Sequence, residues 1–478
     1  MSSSAPTRVA ILGGGPAGVG AAWKLRALGR AEVVLFERGQ DFGGNAGSFQ
    51  LDGHWLDYGS HRLHPACDPA VLADVRAFLG PDLHDRPRHG RIRLLGKWVH
   101  FPLKPLDLLL HLDRSFAAGA LTDAARKLLP RRGTTGEENF ATVLAAGLGR
   151  TICEHFYFPY ARKIWGAEPA ELSAIQARRR VSAGSFTKLL RKVLGQVPGL
   201  KPPGAGRFFY PEEGFGQISR AYGREAARLG AELNLGWTVV ALERSGDTGG
   251  RWTVTAERAG ERRSWAAEHL WSTLPISILA RLRRPAAPPA VLEAAASIDY
   301  RAMLLVYLEL PVGRFSEYDA HYFPGEDVGL TRLSEPKNYA ARTEPRDSTV
   351  LCAEIPCQRG DELWGSPEAE LGRRVAEDLE RSDLPLPAAP SAVHVRRLPQ
   401  AYPIYRSGYE EPFGVLDRWA LDEPGLVTYG RQGLFAHDNT HHALYMAYAA
   451  ADSLRDGSFD AARWRAHREV FATHVVED

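Results

Sequence analysis

Gly13, Gly15 and Gly18 carry the first chemical signal in the chain. A G-x-G-x-x-G turn can hold a pyrophosphate. Its first glycine permits the tight turn, its second lets the backbone approach the phosphates, and its third lets the next helix pack closely on the strand. Such a turn works only if a strand delivers it and a helix leaves it. Arg8 to Leu12 is a short apolar run, and Val19 to Gly29 reads as a helix rich in Ala and Leu. A second apolar run, Glu32 to Phe36, ends at Glu37. That acid lies about 20 residues past the turn, where a carboxylate accepts hydrogen bonds from ribose hydroxyls. The helix N-terminus adds unclaimed N–H groups and a partial positive charge for the phosphates. Together these features predict a βαβ unit that binds a dinucleotide.

Asp41-Phe42-Gly43-Gly44-Asn45 follows the acid directly and resembles the second glycine pair of FAD-binding flavoproteins. An acid at the ribose position also disfavours a 2′-phosphate. FAD is therefore expected rather than NAD or NADP. No second G-x-G-x-x-G is present, so no dedicated nicotinamide domain is expected.

Other reactive side chains are scattered. His61 and His64 sit three apart in Gly59-Ser60-His61-Arg62-Leu63-His64. No carboxylate or third histidine accompanies them locally, so a metal is not expected there. Arg332 lies in Thr331-Arg332-Leu333-Ser334-Glu335-Pro336-Lys337, far in sequence from the glycine turn. It reads either as a clamp on an anionic group or as a surface arginine paired with Glu335. Cys67, Cys153, Cys352 and Cys357 show no metal-ligand spacing and read as unpaired thiols, which fits a cytoplasmic protein. The net charge of +2 gives no global case for nucleic acid. The first strand begins near the N-terminus, which leaves no room for a signal peptide.

The elements that must position these groups suggest an α/β fold of discontinuous architecture. Residues 1–75, 205–275 and 420–478 are expected to form a Rossmann-like FAD-binding domain. Residues 76–204 and 276–419 are expected to form an inserted substrate domain of helices and sheet. Ser48 to Tyr58 reads as a hairpin, 139–163 as a long helical region, and Glu232 to Leu242 as a single strand. Pro102 to Phe116 and Ala170 to Leu194 look helical, and Pro198 to Gly206 looks like a boundary. The basic side of 178–194 is read first as solvated, with a membrane surface as its alternative.

Several segments converge on a known group. Gly43-Gly44-Asn45, Tyr58 to His64, Tyr160 to Gly166, Thr331 to Lys337 and Gly430-Arg431 resemble motifs of the UDP-galactopyranose mutase-like flavoproteins. That group lies within the broader protoporphyrinogen oxidase and amine oxidase superfamily. The resemblance implies a flavoprotein of the GR2 type. FAD contacts are implied at Gly13, Gly15, Gly18, Glu37, Gly44, Asn45, His61, Val239, Gly430 and Arg431. Substrate contacts are implied at Tyr160, Trp165, Arg332, Tyr405, His437 and Asn439. His61 and Arg332 are the expected catalytic residues. The implied activity is pyranose–furanose mutase chemistry through flavin N5, on a nucleotide- or lipid-linked sugar, with an external reductant. His437-Asp438-Asn439 stands where the mutases carry tyrosines and an aspartate, and Tyr210 to Gln217 looks as much like protoporphyrinogen oxidases. An FAD-dependent oxidase or dehydrogenase, passing electrons to an external acceptor, is the alternative.

Overall fold

The computed structural model describes residues 7–101, 114–126, 138–180, 206–246, 250–340 and 342–476. Its organising element is a five-stranded parallel sheet. The strands are β1 (Arg8–Leu12), β2 (Glu32–Glu37), β3 (Glu232–Leu235), β4 (His269–Ser272) and β5 (Leu426–Thr428), in the order β5-β4-β1-β2-β3. β1 is buried on both faces: Val9 and Ile11 join one core cluster, Ala10 and Leu12 another. This is why it reads as an unbroken apolar run rather than an alternating one.

Three helices cover the first face: α1 (Pro16–Ala27), α2 (Gln217–Arg228) and α3 (Thr440–Ser453). Small residues let α1 and α3 approach closely. A Cβ on Gly20 would lie 2.9 Å from Leu444. The second face is covered by a sheet built from Thr238–Arg244, Trp252–Arg258, Glu261–Ala267 and Arg283–Arg284, and by the helices Ile276–Leu282 and Pro289–Ser297.

A separate seven-stranded sheet carries the other half of the molecule. Its three long strands, Asp299–Leu310, Thr349–Cys357 and the edge strand Ala392–Ile404, pair antiparallel. The hairpin Gly90–Leu94/Lys97–Phe101 closes one edge through Ala320–Tyr322 and Arg332–Ser334. The two sheets are joined by the hairpin Ser48–Leu51/His54–Asp57 and by the pairing of Leu83–Pro87 with Arg207–Pro211.

One expectation needs correction. Glu232 to Leu242 is not one strand: Gly236, at φ +75°, turns the chain, so β3 stays in the parallel sheet and Thr238–Arg244 enters another. The helical region 139–163 is made of several pieces. It breaks at Gly149 (φ +97°) and passes through a π-helical turn, Cys153–Tyr157, before Phe158–Trp165. The four cysteines are buried and form no disulfide. Most of the basic stretch 178–194 lies outside the described residues, as do most of 102–116 and of 198–206. No helix among the described residues is long and apolar enough to cross a membrane.

Candidate active site

The glycine turn is shaped by what it excludes. Gly13 has φ +100°, and a Cβ there would lie 2.3 Å from Thr273 Oγ1. A Cβ on Gly18 would lie 1.9 Å from the Gly13 carbonyl oxygen. Gly15 differs: the nearest atom to its Cβ position is the Gly43 oxygen at 3.9 Å, so the space beside it is open. Gly15 caps α1 without a side-chain hydrogen bond, Pro16 opens the helix, and the first turn holds no acid. Its N–H groups are therefore directed at whatever fills that space. The second glycine pair is tied to the first, because Gly43 N–H donates to Gly14 O at 2.9 Å. Glu37 shapes the same turn, accepting from Gly14 N–H and Gly39 N–H at 2.7 Å each. Trp237 N–H donates to Glu37 O, which brings the strand carrying Val239 alongside. Gly13, Gly15, Gly18, Glu37 and Gly44 thus converge on a backbone-lined slot that suits a dinucleotide pyrophosphate and its ribose, and FAD fits it.

Beyond the slot, the loop from Gly44 to Arg62 meets the second sheet. Asn45 Nδ2 donates to Gln400 O at 3.0 Å, and Gln432 Nε2 donates to the same oxygen at 2.9 Å. Arg431 Nη2 donates to Ala401 O at 3.0 Å, with its guanidinium 4.8 Å from the Tyr402 ring. Gly430, at φ +78°, lets this turn press against Ala17 of α1. His61 Nε2 lies 2.9 Å from Asn45 O and 3.0 Å from Tyr58 O. Facing two carbonyls, Nε2 must carry the proton, which leaves Nδ1 as an acceptor. Burial, only partly offset by Asp57, pulls the imidazole below its ordinary pKa, so it is neutral near pH 7. Its ring stacks on Phe215, with centroids 5.4 Å apart.

A buried carboxylate organises this junction, and the sequence reading passed over it. Asp57 accepts from Ser48 Oγ and Tyr210 Oη at 2.6 Å each and from Phe215 N–H at 2.8 Å. Its carbonyl accepts from Tyr307 Oη at 2.7 Å. The hairpin, the Tyr210–Gly216 segment and the second sheet thus meet at one residue. Burial pushes its carboxyl above the ordinary value, against the pull of these donors. In sequence it is a hairpin aspartate; only its three partners, all distant or on the paired strand, reveal it.

Arg332 is not paired with Glu335. Its Nε and Nη2 donate to Glu354 at 2.9 and 2.8 Å, a two-bonded fork on a carboxylate 4% exposed. Glu354 Oε1 also accepts from Ser60 N–H at 2.7 Å, which fixes the loop that carries His61. Glu335 is buried elsewhere, accepting from Phe315 N–H, Ser316 N–H and Thr349 Oγ1. Arg62 bonds Asp319 and Tyr322 and lies over Tyr339. Arg396 is exposed, 3.7 Å from the Tyr58 ring.

The remaining expected substrate residues are partly assembled. Trp165, Tyr405 and His437 form one buried aromatic cluster: His437 lies 4.9 Å from the Trp165 ring and 4.7 Å from Tyr405. Tyr405 Oη donates to Phe435 O at 2.6 Å. Tyr160 stands apart, stacked on Phe156. Asn439 is the N-cap of α3, its side chain accepting from the helix backbone in a capping box with His442. Lys163 was quoted in the sequence motif without a role. Its ammonium, pushed down to about 8 by burial, donates to Phe323 O and Leu330 O.

A family model described as flavin containing amine oxidoreductase matches residues 16–455. Among solved structures, a reduced UDP-galactopyranose mutase superposes with TM-score 0.80 at 20% identity, covering 98% of this chain and 100% of that one. A candidate protoporphyrinogen oxidase from Exiguobacterium sp. 255-15 gives TM-score 0.70 at 20% identity, covering 95% and 99%. A putrescine oxidase bound to putrescine gives 0.64 at 18%, covering 93% and 98%. At these identities the likeness is one of fold.

Proposed function

The chain belongs to the flavin containing amine oxidoreductase family and is an FAD-dependent enzyme, and from that premise we propose that it acts on a nucleotide- or lipid-linked sugar by chemistry of the pyranose–furanose mutase type. The observation that carries this reading is the charge of the wall facing the Gly44–Arg62 loop. Arg62, Arg332, Arg396 and Arg431 are all tied to that loop, to Tyr58, or to the Gln400–Tyr402 stretch that Asn45 bonds. The ion pairs Arg62–Asp319 and Arg332–Glu354 hold two of them in place. Arg396, a guanidinium seated on an aromatic ring, adds positive charge at an exposed position. With Arg62 and Arg332 balanced by Asp319 and Glu354, the net positive charge of the wall rests on Arg396 and Arg431, and it suits an anionic substrate better than a protonated amine.

Bound FAD supplies the electron-rich ring that such chemistry requires, and in the mutase reading an external reductant keeps it reduced. The chain's own residues divide the remaining work. Gly13, Gly15, Gly18, Gly44, Glu37 and Val239 would hold the dinucleotide. Gly430, Arg431 and Asn45 join the flavin side to the second sheet. His61 keeps its proton at Nε2 for the loop carbonyls and offers Nδ1 as an acceptor. Arg332 acts as a clamp only by sharing its fork with Glu354. Its first effect is to set Ser60 and His61, while Arg396 and Arg431 are the groups placed to neutralise a diphosphate. Trp165, Tyr405 and His437 form the apolar floor against which a sugar ring packs.

The family match favours a second reading, an oxidase passing electrons to an acceptor. One experiment separates the two. Dithionite-reduced enzyme, held anaerobically with UDP-sugars, should convert one of them with no net redox change. Peroxide release from an amine by the oxidised enzyme, with no sugar isomerised, would overturn the mutase reading.

A further inference from the structure

Away from the flavin slot, the N-terminus of α3 meets the end of the chain. Asp438 precedes the Asn439 cap, and His442 lies in the first turn of the helix. His474 follows the helix Ala461–Phe471, its N–H donating to Phe471 O. The Asp438 side chain is fully buried, yet neither of its oxygens accepts a hydrogen bond from the described residues. Two imidazoles lie beside it, and Arg179 acts on the same neighbourhood through Tyr405 and His442. His442 Nδ1 lies 3.5 Å and His474 Nδ1 3.4 Å from Asp438 Oδ1. A buried carboxylate with no donor is costly unless a positive charge sits beside it.

The separations suggest what that charge is. At 3.4–3.5 Å the contacts are long for charged hydrogen bonds. Donors bound tetrahedrally to one zinc ion at 2.0–2.2 Å stand roughly 3.4 Å apart. The three donor atoms all lie within 4.8 Å of one another. The His442 and His474 rings stack at 4.2 Å, and the His441 ring lies 4.1 Å from that of His442. A cavity of about 220 Å³ lined by Ala66, Asp68, His441, His442, Tyr445 and His474 opens beside them. One existing contact competes: Asn439 N–H donates to His442 Nδ1 at 3.2 Å, and an ion on that nitrogen replaces this bond.

We propose that Asp438, His442 and His474 bind one divalent transition-metal ion of the zinc type, with its fourth position turned to this cavity. Two imidazoles and a carboxylate with an open position are a donor set for such ions. The ion ties the C-terminal segment to the helix that follows His437 and Asn439, and so braces one wall of the active site. Sequence spacing could not show it. The expectation of no metal came from His61, His64 and the cysteine spacing, whereas these donors meet only when residue 474 folds back on residue 438.

The test uses the full-length, FAD-loaded protein. It is stripped with a chelator, given one equivalent of Zn²⁺, desalted and assayed for metal, and the affinity is measured by competition with a chromophoric chelator. Asp438→Asn keeps the shape of the residue, and His474→Ala changes only the terminal segment. The parent should retain one zinc per chain and gain thermal stability from it. Each variant should bind zinc at least about 100-fold more weakly, at or beyond the loss that removing an outer partner causes, with flavin content unchanged. A parent that retains no zinc, or binds it no better than the two variants, overturns the proposal.

Discussion

The turn from Gly13 to Gly18 is bare of side chains at Gly13, Gly14, Gly15 and Gly18. The geometry is held by backbone hydrogen bonds and by one acid, Glu37, that accepts from Gly14 N–H and Gly39 N–H. In the wall around Glu354 the arrangement is reversed. Long side chains from distant strands meet there, and each is held by another: Arg332 by Glu354, Ser60 by Glu354, Arg62 by Asp319. The first region is held by close contacts that leave no room for a Cβ at Gly13 or Gly18; the second is held because its charges are paired. Damage should therefore spread differently. A change in the turn should expel the cofactor, whereas a change in the wall should leave a charge stranded.

The largest effect is expected in the wall. Glu354→Ala leaves the Arg332 guanidinium buried without its partner, which should cost about 3–5 kcal/mol of stability. Replacing both, as Arg332→Met with Glu354→Leu, should recover most of that loss, because neither charge is then stranded. Urea unfolding measures both variants. If the double variant is as damaged as Glu354→Ala, pairing is not what holds the wall.

Next in size is the turn. Gly18→Ala drives a methyl to 1.9 Å from the Gly13 oxygen, where backbone must move. Overpacking of this kind costs about 1–3 kcal/mol, and the purified variant should be colourless. A yellow, normally stable Gly18→Ala protein would remove the steric account of the turn. Glu37→Ala should act more gently, weakening FAD by about 1.5–3 kcal/mol as a charge-assisted hydrogen bond is lost. Fluorescence titration of the apoprotein with FAD reads that change. An unchanged affinity would assign Glu37 to turn geometry alone.

The same contrast explains which parts were legible in the sequence. The βαβ unit, the hairpin at Ser48 and the C-terminal helix are local, so glycine spacing and hydrophobic period were enough to find them. β1 reads as buried on both faces because it is. The wall was not legible, since its partners are related only through the sheet register that sets Arg332 opposite Glu354. A near neighbour in sequence, Glu335, looked like the partner and is instead committed to Thr349 and two backbone N–H groups. Gly236 was missed for a different reason: one glycine inside an apolar run gave no warning that the chain changes sheets there. Asp57 carried no pattern at all, because its three donors lie at positions 48, 210 and 215.

The wall should also be the pH-sensitive half, and His321 tests this. It lies in Ala320–Tyr322, 1% exposed, between the rings of Trp98, Phe315 and Tyr318. Burial, reinforced by Arg91, pushes its imidazole down to about 3 from an ordinary 6.5. The sign follows from which state takes the proton. Below pH 6.5 the unfolded chain binds a proton that the folded chain refuses until about pH 3. The stability contribution is therefore complete above 6.5 and is lost as the pH falls through that window. The slope approaches about 1.4 kcal/mol for each pH unit. His321→Phe places a group that cannot titrate among rings that can receive it. Urea unfolding of parent and variant between pH 6.5 and pH 5 should show the parent losing stability faster by about that slope. Other titrating groups contribute equally to both proteins and cancel in the difference. Identical slopes would mean that His321 is hydrated or paired in the folded state, and the pH sensitivity of this half would have to come from elsewhere.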